Sequence, residues 1–450
     1  MTRLPTDPTA PPSGYLDFLA TKQRRTGWHG TEPGALHPIL HDWQAAITEW
    51  ATRKGRAAIF ADCGLGKTLM QVEWARQSGS RTLIIAPLSV ARQTVREAVK
   101  VDAEVVYVRD QRDVAGAGIY ITNYEMVDRF DADQFDAVVL DESSILKNVD
   151  GKTRQRLTDQ WSTTPRRLAC TATPAPNDVA ELANHAEFLG VSSRAEMLAA
   201  YFIHDSGGPG RAAGWRLKGH AADAMHTWVS SWAVALRKPS DIGYSDCGYD
   251  LPPLKIHGEV VKADVTPADG QLFAVDLGGV SGRSQVRRET LTARVARAAD
   301  LANTGDQWIV WCGLNSEAEQ TAKLIDGAVN VAGSWSPEDK AEALERFQDG
   351  DIRVLVTKPS IAGFGMNFQN AHRMSFVGLS DSYESYYQAV RRCWRYGQHH
   401  PVDAHVIVSE LEQQIVDNVR GKERSASTLA DALAAKSEVT APRDRQEVTA

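Results

Sequence analysis

The chain has no apolar run approaching the ~18 residues that a membrane-crossing helix needs, so no membrane partner is expected. It has no excess of positive charge either. Its 50 Lys and Arg stand against 57 Asp and Glu, a formal net charge of −7 over 450 residues. That excludes a bulk polycation coating nucleic acid, and any nucleic-acid grip has to be a local positive surface. Cysteine is scarce. The five at positions 63, 170, 247, 312 and 393 form no C-x-x-C pair, which argues against structural zinc and fits a reducing compartment. The N-terminus lacks the basic start and apolar core of a signal peptide, and the expectation is a cytoplasmic protein. No short internal repeat is present. His399-His400 has no second ligand pair nearby and reads as a surface turn.

What is present is ordinary globular material, 43% hydrophobic and 24% charged, long enough for two or three domains with buried cores. The most informative stretch is Ala61-Asp62-Cys63-Gly64-Leu65-Gly66-Lys67-Thr68, which follows the apolar run Ala57-Ala58-Ile59-Phe60. It reads as a phosphate-binding loop between a buried strand and a helix. Gly64 and Gly66 let the backbone curl tightly enough to present N–H groups to a phosphate. Lys67 would reach the β and γ phosphates, and the Thr68 hydroxyl would hold Mg²⁺. Thr68 also opens the next helix, whose positive dipole end then faces the anion. Ala61 occupies the position where such loops usually begin with Gly.

Around this loop, apolar β-rich runs alternate with helical patterns: Thr82–Ala86, Glu104–Val108, Gly118–Thr122, Ala137–Leu140 and Arg167–Cys170. Runs that are apolar throughout predict a parallel sheet covered on both faces, an α/β fold. Pro87 stops one strand, and Ser89 is positioned to cap the helix that follows. Residues 180–250 read as helical with a Gly-rich loop, where Arg211, Arg216, Lys218 and His220 could contact DNA or form a solvated insertion. Leu251-Pro252-Pro253 marks a boundary, after which strands recur at Trp308–Cys312, Arg353–Val356, Met374–Val377 and His405–Val408. Ser336-Pro337-Glu338-Asp339 opens a helix between them. The expected division is a loose tail at 1–14, a first domain at 15–185, a helical insertion and linker at 186–253, a second domain at 254–424 and a flexible tail at 425–450. Most of the twelve tryptophans fall in apolar patterns and read as core.

Two further pieces complete a nucleotide site. Val138-Val139-Leu140 ends in Asp141-Glu142, which places carboxylates at a strand's C-terminal edge beside the loop. Asp141 would organise the Mg²⁺ hydration shell, and Glu142 would orient and deprotonate the attacking water. In the second half, Arg392 and Arg395 lie three apart on one helix face. Arginines supplied this way offset γ-phosphate charge as arginine fingers.

From Leu40 to Val419 the chain resembles superfamily 2 helicases and translocases (DEAD/DEAH-box-like), closest to the Swi/Snf-like branch and to the compact versions of phages and mobile elements. Leu40–Gln44 resembles the adenine-recognising segment, with Gln44 at its glutamine. Ile85–Val90 (IAPLSV) resembles motif Ia and Ile121–Glu125 (ITNYE) motif Ib. Asp141–Asn148 (DESSILKN) matches the acid pair with its trailing Lys-Asn. Thr171-Ala172-Thr173-Pro174, with Asn177, resembles motif III. Ile361–Phe368 (IAGFGMNF) resembles motif V, and Gln388–Gln398 motif VI. The departures are Ser143-Ser144 where relatives carry Ala-His or Ala-Gln, Ala172 for glycine, and Trp394 for histidine. The first removes the larger polar side chain expected to wire motif II to motifs III and VI.

The resemblance implies two tandem RecA-like lobes and a nucleic-acid-dependent ATPase using ATP and Mg²⁺. It places Gln44, Gly365 and Gln388 with the loop residues at the nucleotide. It puts phosphate contacts to DNA at Ser89, Thr122, Asn123, Lys358 and Ser360. Such contacts predict salt-sensitive binding without sequence specificity. The reading is a monomeric translocase on double-stranded DNA. A strand-separating helicase, an RNA helicase and an ATP-gated DNA-binding protein with little turnover are the alternatives.

Overall fold

A computed structural model describes residues 26–148, 151–207, 214–262, 290–362, 367–380 and 382–440. The chain divides into two compact units. Residues up to Asp246, together with those from Ser425 onward, form the first, and Cys247–Arg424 the second. The expected loose tail at 1–14 lies outside the described residues.

The first unit is built on a seven-stranded sheet in the order β3-β4-β2-β5-β6-β1-β9. Its strands are β1 (Arg56–Ala61), β2 (Arg81–Ala86), β3 (Val105–Tyr107), β4 (Gly118–Asn123), β5 (Ala137–Asp141), β6 (Arg166–Cys170) and β9 (Ala233–Leu236). Every neighbouring pair is parallel. Parallel strands need helices on both faces, and their inner residues are accordingly buried throughout: Ala57–Ala61 and Leu83–Ala86 are all enclosed. The central order β5-β6-β1 matters most for function. It aligns Asp141 with Cys170, and Cys170 with Ile59, so the ends of three strands emerge side by side.

The stretch read as helical with a Gly-rich loop also holds strands, a correction to that reading. It contains the helices Leu182–Leu189, Arg194–Tyr201 and Ala222–Ser230, an antiparallel hairpin of β7 (Phe202–Asp205) and β8 (Gly214–Leu217), and β9. Strand β9 is Ala-Val-Ala-Leu, four buried residues whose short apolar run has no periodicity to distinguish strand from helix. It lies against β1 beside the phosphate loop. The stretch expected as a flexible tail is likewise corrected up to Thr440. Helix Gln413–Ala434 carries Leu429 and Leu433 into the core of the first unit, and Val439 is also buried. Ser230 Oγ donates to Leu433 O at 3.1 Å, and Trp50 Nε1 to Glu438 at 3.0 Å. Its Ala-rich composition favours helix, and leucines four apart share one face.

The second unit holds a six-stranded parallel sheet in the order β10-β15-β14-β11-β13-β12. The strands are β10 (Leu254–Val261), β11 (Trp308–Cys312), β12 (Ala328–Asn330), β13 (Val354–Thr357), β14 (Arg373–Val377) and β15 (Val402–Ser409). Ser336 caps helix Pro337–Gln348, its Oγ accepting from Asp339 N at 3.0 Å. Two parallel α/β units in succession are tandem RecA-like lobes. Among the described residues no helix is long and apolar enough to cross a membrane.

Candidate nucleotide site

The phosphate loop leaves β1 and turns on two left-handed glycines, Gly64 at φ +88° and Gly66 at φ +72°. A Cβ on Gly66 would lie 2.4 Å from Gln44 Nε2 and displace that side chain, and the left-handed backbone there favours glycine. Gln44 is buried and braces the loop. Its Nε2 donates to Leu65 O at 3.1 Å while its Oε1 accepts from His41 N at 3.0 Å. Lys67 opens helix Lys67–Gln77, and its ammonium donates back to Ala61 O (2.7 Å) and Asp62 O (3.2 Å). Thr68 follows on the first turn, half-buried.

Asp141 closes β5 and is 4% exposed. Gln71 Nε2 donates to its Oδ2 at 2.9 Å, Glu142 N to its Oδ1 at 3.0 Å, and Tyr124 Oη to its main-chain carbonyl at 2.7 Å. Burial pushes the Asp141 carboxyl above its ordinary value, against the opposing pull of Gln71 and Lys67. A desolvated carboxylate in that condition favours a cation beside it. Hard oxygen donors at Asp141 and Thr68 suit Mg²⁺, which takes few protein ligands and fills its shell with water and phosphate. Among the described residues no group of three or more His, Cys, Asp or Glu is arranged to hold a metal by itself. The residues present therefore fit a magnesium–nucleotide site rather than a resident metal cage.

Glu142 has φ +55°, a left-handed conformation that non-glycine residues rarely adopt and that concentrates at functional sites. Its Oε2 accepts from Thr171 Oγ1 at 3.4 Å, and Thr171 Oγ1 accepts from Thr173 N at 3.1 Å. The acid pair is thus joined to Thr171–Pro174 by a hydroxyl. The two serines that follow it do not leave the turn unsupported. Ser143 Oγ and His185 Nε2 are 3.1 Å apart, and both residues are fully buried. The His185 ring meets Phe60 of β1 edge-on at 5.3 Å. Asn184 Nδ2 donates to Leu146 O at 2.8 Å, pinning the same turn. Sequence reasoning missed Gln71, Tyr124 and His185. Gln71 had a signal, lying four residues after Lys67 on the same helix face.

In the second unit, helix Tyr383–Cys393 carries Gln388 and Arg392, both buried. Phe368 N donates to Arg392 O at 2.8 Å, and Arg395 hydrogen-bonds the Asn367 side chain. Arg391 lies over the Trp394 ring at 4.5 Å, and burial, with Arg395 nearby, lowers its pKa to about 9. Trp394 Nε1 donates to Pro252 O at 2.7 Å, so the tryptophan replacing a histidine ties this turn to the start of the unit. Gly365 lies outside the described residues.

Residues 37–199 match the SNF2-related domain family, and residues 290–397 match the helicase conserved C-terminal domain family. The chain is a superfamily 2 member of the Swi/Snf-like branch. That family comprises nucleic-acid-dependent ATPases, and ATP use goes with it. A segment of this Swi/Snf-like chain is 30% identical over 121 residues to the human "ATP-dependent DNA helicase Q4". The match covers 23% of the chain and only 10% of that relative's length. The chain is also similar to a Sulfolobus solfataricus SWI2/SNF2 ATPase core solved in complex with dsDNA, at 19% identity and a TM-score of 0.42. That likeness covers 90% of this chain and 95% of the other.

Of the residues expected to touch nucleic acid in this Swi/Snf-like chain, Ser89 and Ser360 are exposed and Lys358 is half-buried. Ser89 does not cap its helix; Leu88–Ala98 starts after Pro87 with no side-chain cap. Thr122 is fully buried and Asn123 is 3% exposed, its Nδ2 donating to Tyr107 Oη at 3.3 Å. Both end strand β4 of a sheet covered on both faces, so two consecutive residues are buried. Among the basic residues of the middle stretch, Arg211 lies outside the described residues.

Proposed function

We propose that the chain is an ATP-driven motor that moves along double-stranded DNA, binding it through the phosphate backbone without sequence preference. The observation that carries the reading is the joined network at the ends of β1, β5 and β6. Lys67 is held over its loop, Asp141 is desolvated against Gln71, and Glu142 is strained and linked to Thr171. In this reading Lys67 releases the loop carbonyls to neutralise the β and γ phosphates. Asp141 and Thr68 would hold Mg²⁺, which would supply Lewis-acid neutralisation of phosphate charge. Glu142 takes the proton of the attacking water at a carboxylate oxygen. Thr171 then loses or gains a hydrogen bond as that carboxylate changes state, a local event able to bias a larger movement. Arg392 and Arg395 supply guanidinium charge for phosphoryl transfer. The protein works as a cytoplasmic monomer.

The test is the rate of phosphate release with no nucleic acid, single-stranded DNA, duplex DNA and RNA in parallel. Stimulation by duplex above the other arms supports the proposal. Stimulation by RNA alone overturns its choice of substrate. A third-strand displacement assay set beside a forked duplex then separates translocation from unwinding. Displacement of the third strand with the fork intact is expected.

A further inference from the structure

At the opposite end of β1 from the phosphate loop, about 20 Å along a six-residue strand, the sheet carries a second cluster of charge. Arg56 opens β1, and the parallel register pairs it with Arg167 of β6. Both Nη1 atoms converge on one point. A Cβ added to Gly190 would lie 3.0 Å from Arg56 Nη1 and 3.1 Å from Arg167 Nη1. Adjacent guanidinium groups repel one another unless an anion lies between them. Among the described residues, their hydrogen bonds go only to carbonyls. Arg56 donates to Pro165 O at 3.1 Å, and Arg167 to the carbonyls of Ser162, Thr164 and Phe188.

The pair faces a cavity of about 470 Å³, lined also by Arg154, Ser162 and Gly190. Glu187 and Asp159 border it, but the Glu187 carboxylate is engaged by Arg154. Burial together with the charge of Arg56 lowers the Arg167 pKa to about 10, and His29 is lowered by burial and by the same two arginines with Lys54. A protein of net charge −7 thus keeps an under-neutralised positive island at this edge. The three carbonyls hold Arg167 rigid, Arg56 retains donors to offer, and Gly190, at φ +67°, has no Cβ to push the two guanidinium groups away from the cavity. Planar guanidinium forks match tetrahedral oxyanions.

We propose that this cavity is an oxyanion site distinct from the nucleotide site, taking a phosphate group between Arg56 and Arg167. Its occupant is a free phosphate anion or a backbone phosphate of bound DNA, which share this chemistry.

The test is titration of the full chain with inorganic phosphate, followed by thermal melting and calorimetry. Lys67→Ala, in which the phosphate loop is disabled, is expected to keep a saturable stabilisation by phosphate, and the Arg56 substitutions are made in that background. Arg56→Gln is expected to bind at least about tenfold more weakly, as loss of a charge-assisted fork implies. Arg56→Glu, which sets a carboxylate beside Arg167, should melt at or above the Lys67→Ala parent and no longer respond to phosphate. That variant also shows that the site tolerates substitution without unfolding. Equal phosphate response with and without Arg56→Gln in the Lys67→Ala background overturns the proposal. So does a response that disappears in Lys67→Ala, or no response in any variant. In the Lys67→Ala background, competition between a short duplex and phosphate assigns the site to DNA, and absence of competition assigns it to the free anion.

Discussion

Ser143 and His185 allow a sharp test of how the acid-pair turn is held. Both are fully buried and 3.1 Å apart. Ser143→Ala strands the imidazole, and His185→Leu strands the hydroxyl, each expected to cost about 1–3 kcal/mol as the price of an unpaired buried polar group. The double variant replaces both partners by apolar groups and should recover most of one such loss, a coupling of similar size. In a unit of this length that is roughly 2–4 °C of melting temperature per kcal/mol. The pH dependence adds an independent signature. Burial lowers the His185 pKa from 6.5 to about 4. Between those values the unfolded chain carries the proton and the folded chain does not, so stability falls as pH drops through the window. At about 1.4 kcal/mol per pH step, wild type should lose about 3 kcal/mol there. Variants with leucine at 185 should lack this loss. The assay is urea unfolding of the four proteins from neutral pH down through that range, with ATP hydrolysis measured alongside. The kcat should fall at nearly constant KM, because the pair supports Glu142 and does not touch nucleotide. Single losses that simply add in the double variant, or an acid limb unchanged in His185→Leu, would refute the reasoning.

Other outcomes follow from the geometry described. Lys67→Ala and Glu142→Gln should each abolish DNA-stimulated phosphate release; unchanged release in both would sink the enzyme reading. Gly66→Ala, which forces an alanine into φ +72° and against Gln44, should cost about 1–2 kcal/mol of loop stability and raise the KM for ATP, read from steady-state kinetics. In the second unit, Arg294 and Glu317 form a fully buried pair at 2.8 Å. Arg294→Met alone should destabilise that unit by about 3–5 kcal/mol in denaturant titration, and adding Glu317→Gln should restore a large part.

Sequence pattern made the phosphate loop and the acid pair legible because each is contiguous and obeys local rules of turn and strand end. The seven- and six-stranded sheets were legible in outline for the same reason, with most strands placed to within a residue or two. Strands β9, β10 and β12 were not: β9 is four apolar residues with no period, β12 has only three residues, and β10 has no continuous apolar run. The burial of Thr122 and Asn123 was not legible, since a motif resemblance does not say which way a side chain points. His185 was out of reach altogether. Its partner is 42 residues away in the chain, and a lone histidine on an apolar helix reads as core. The helix at the C-terminus was hidden by composition: alanine and charge signal solvent unless the two leucines facing one way have something to face.

That helix has a consequence for biosynthesis. Leu429 and Leu433 belong to the same buried cluster as Phe60, Trp228 and Trp232, so the unit that begins first off the ribosome is completed only after the whole of the second unit has been made. A nascent chain paused before Leu429 presents an open apolar seam for the entire time that Cys247–Arg424 is being synthesised. This core is therefore incomplete until Leu433 has emerged.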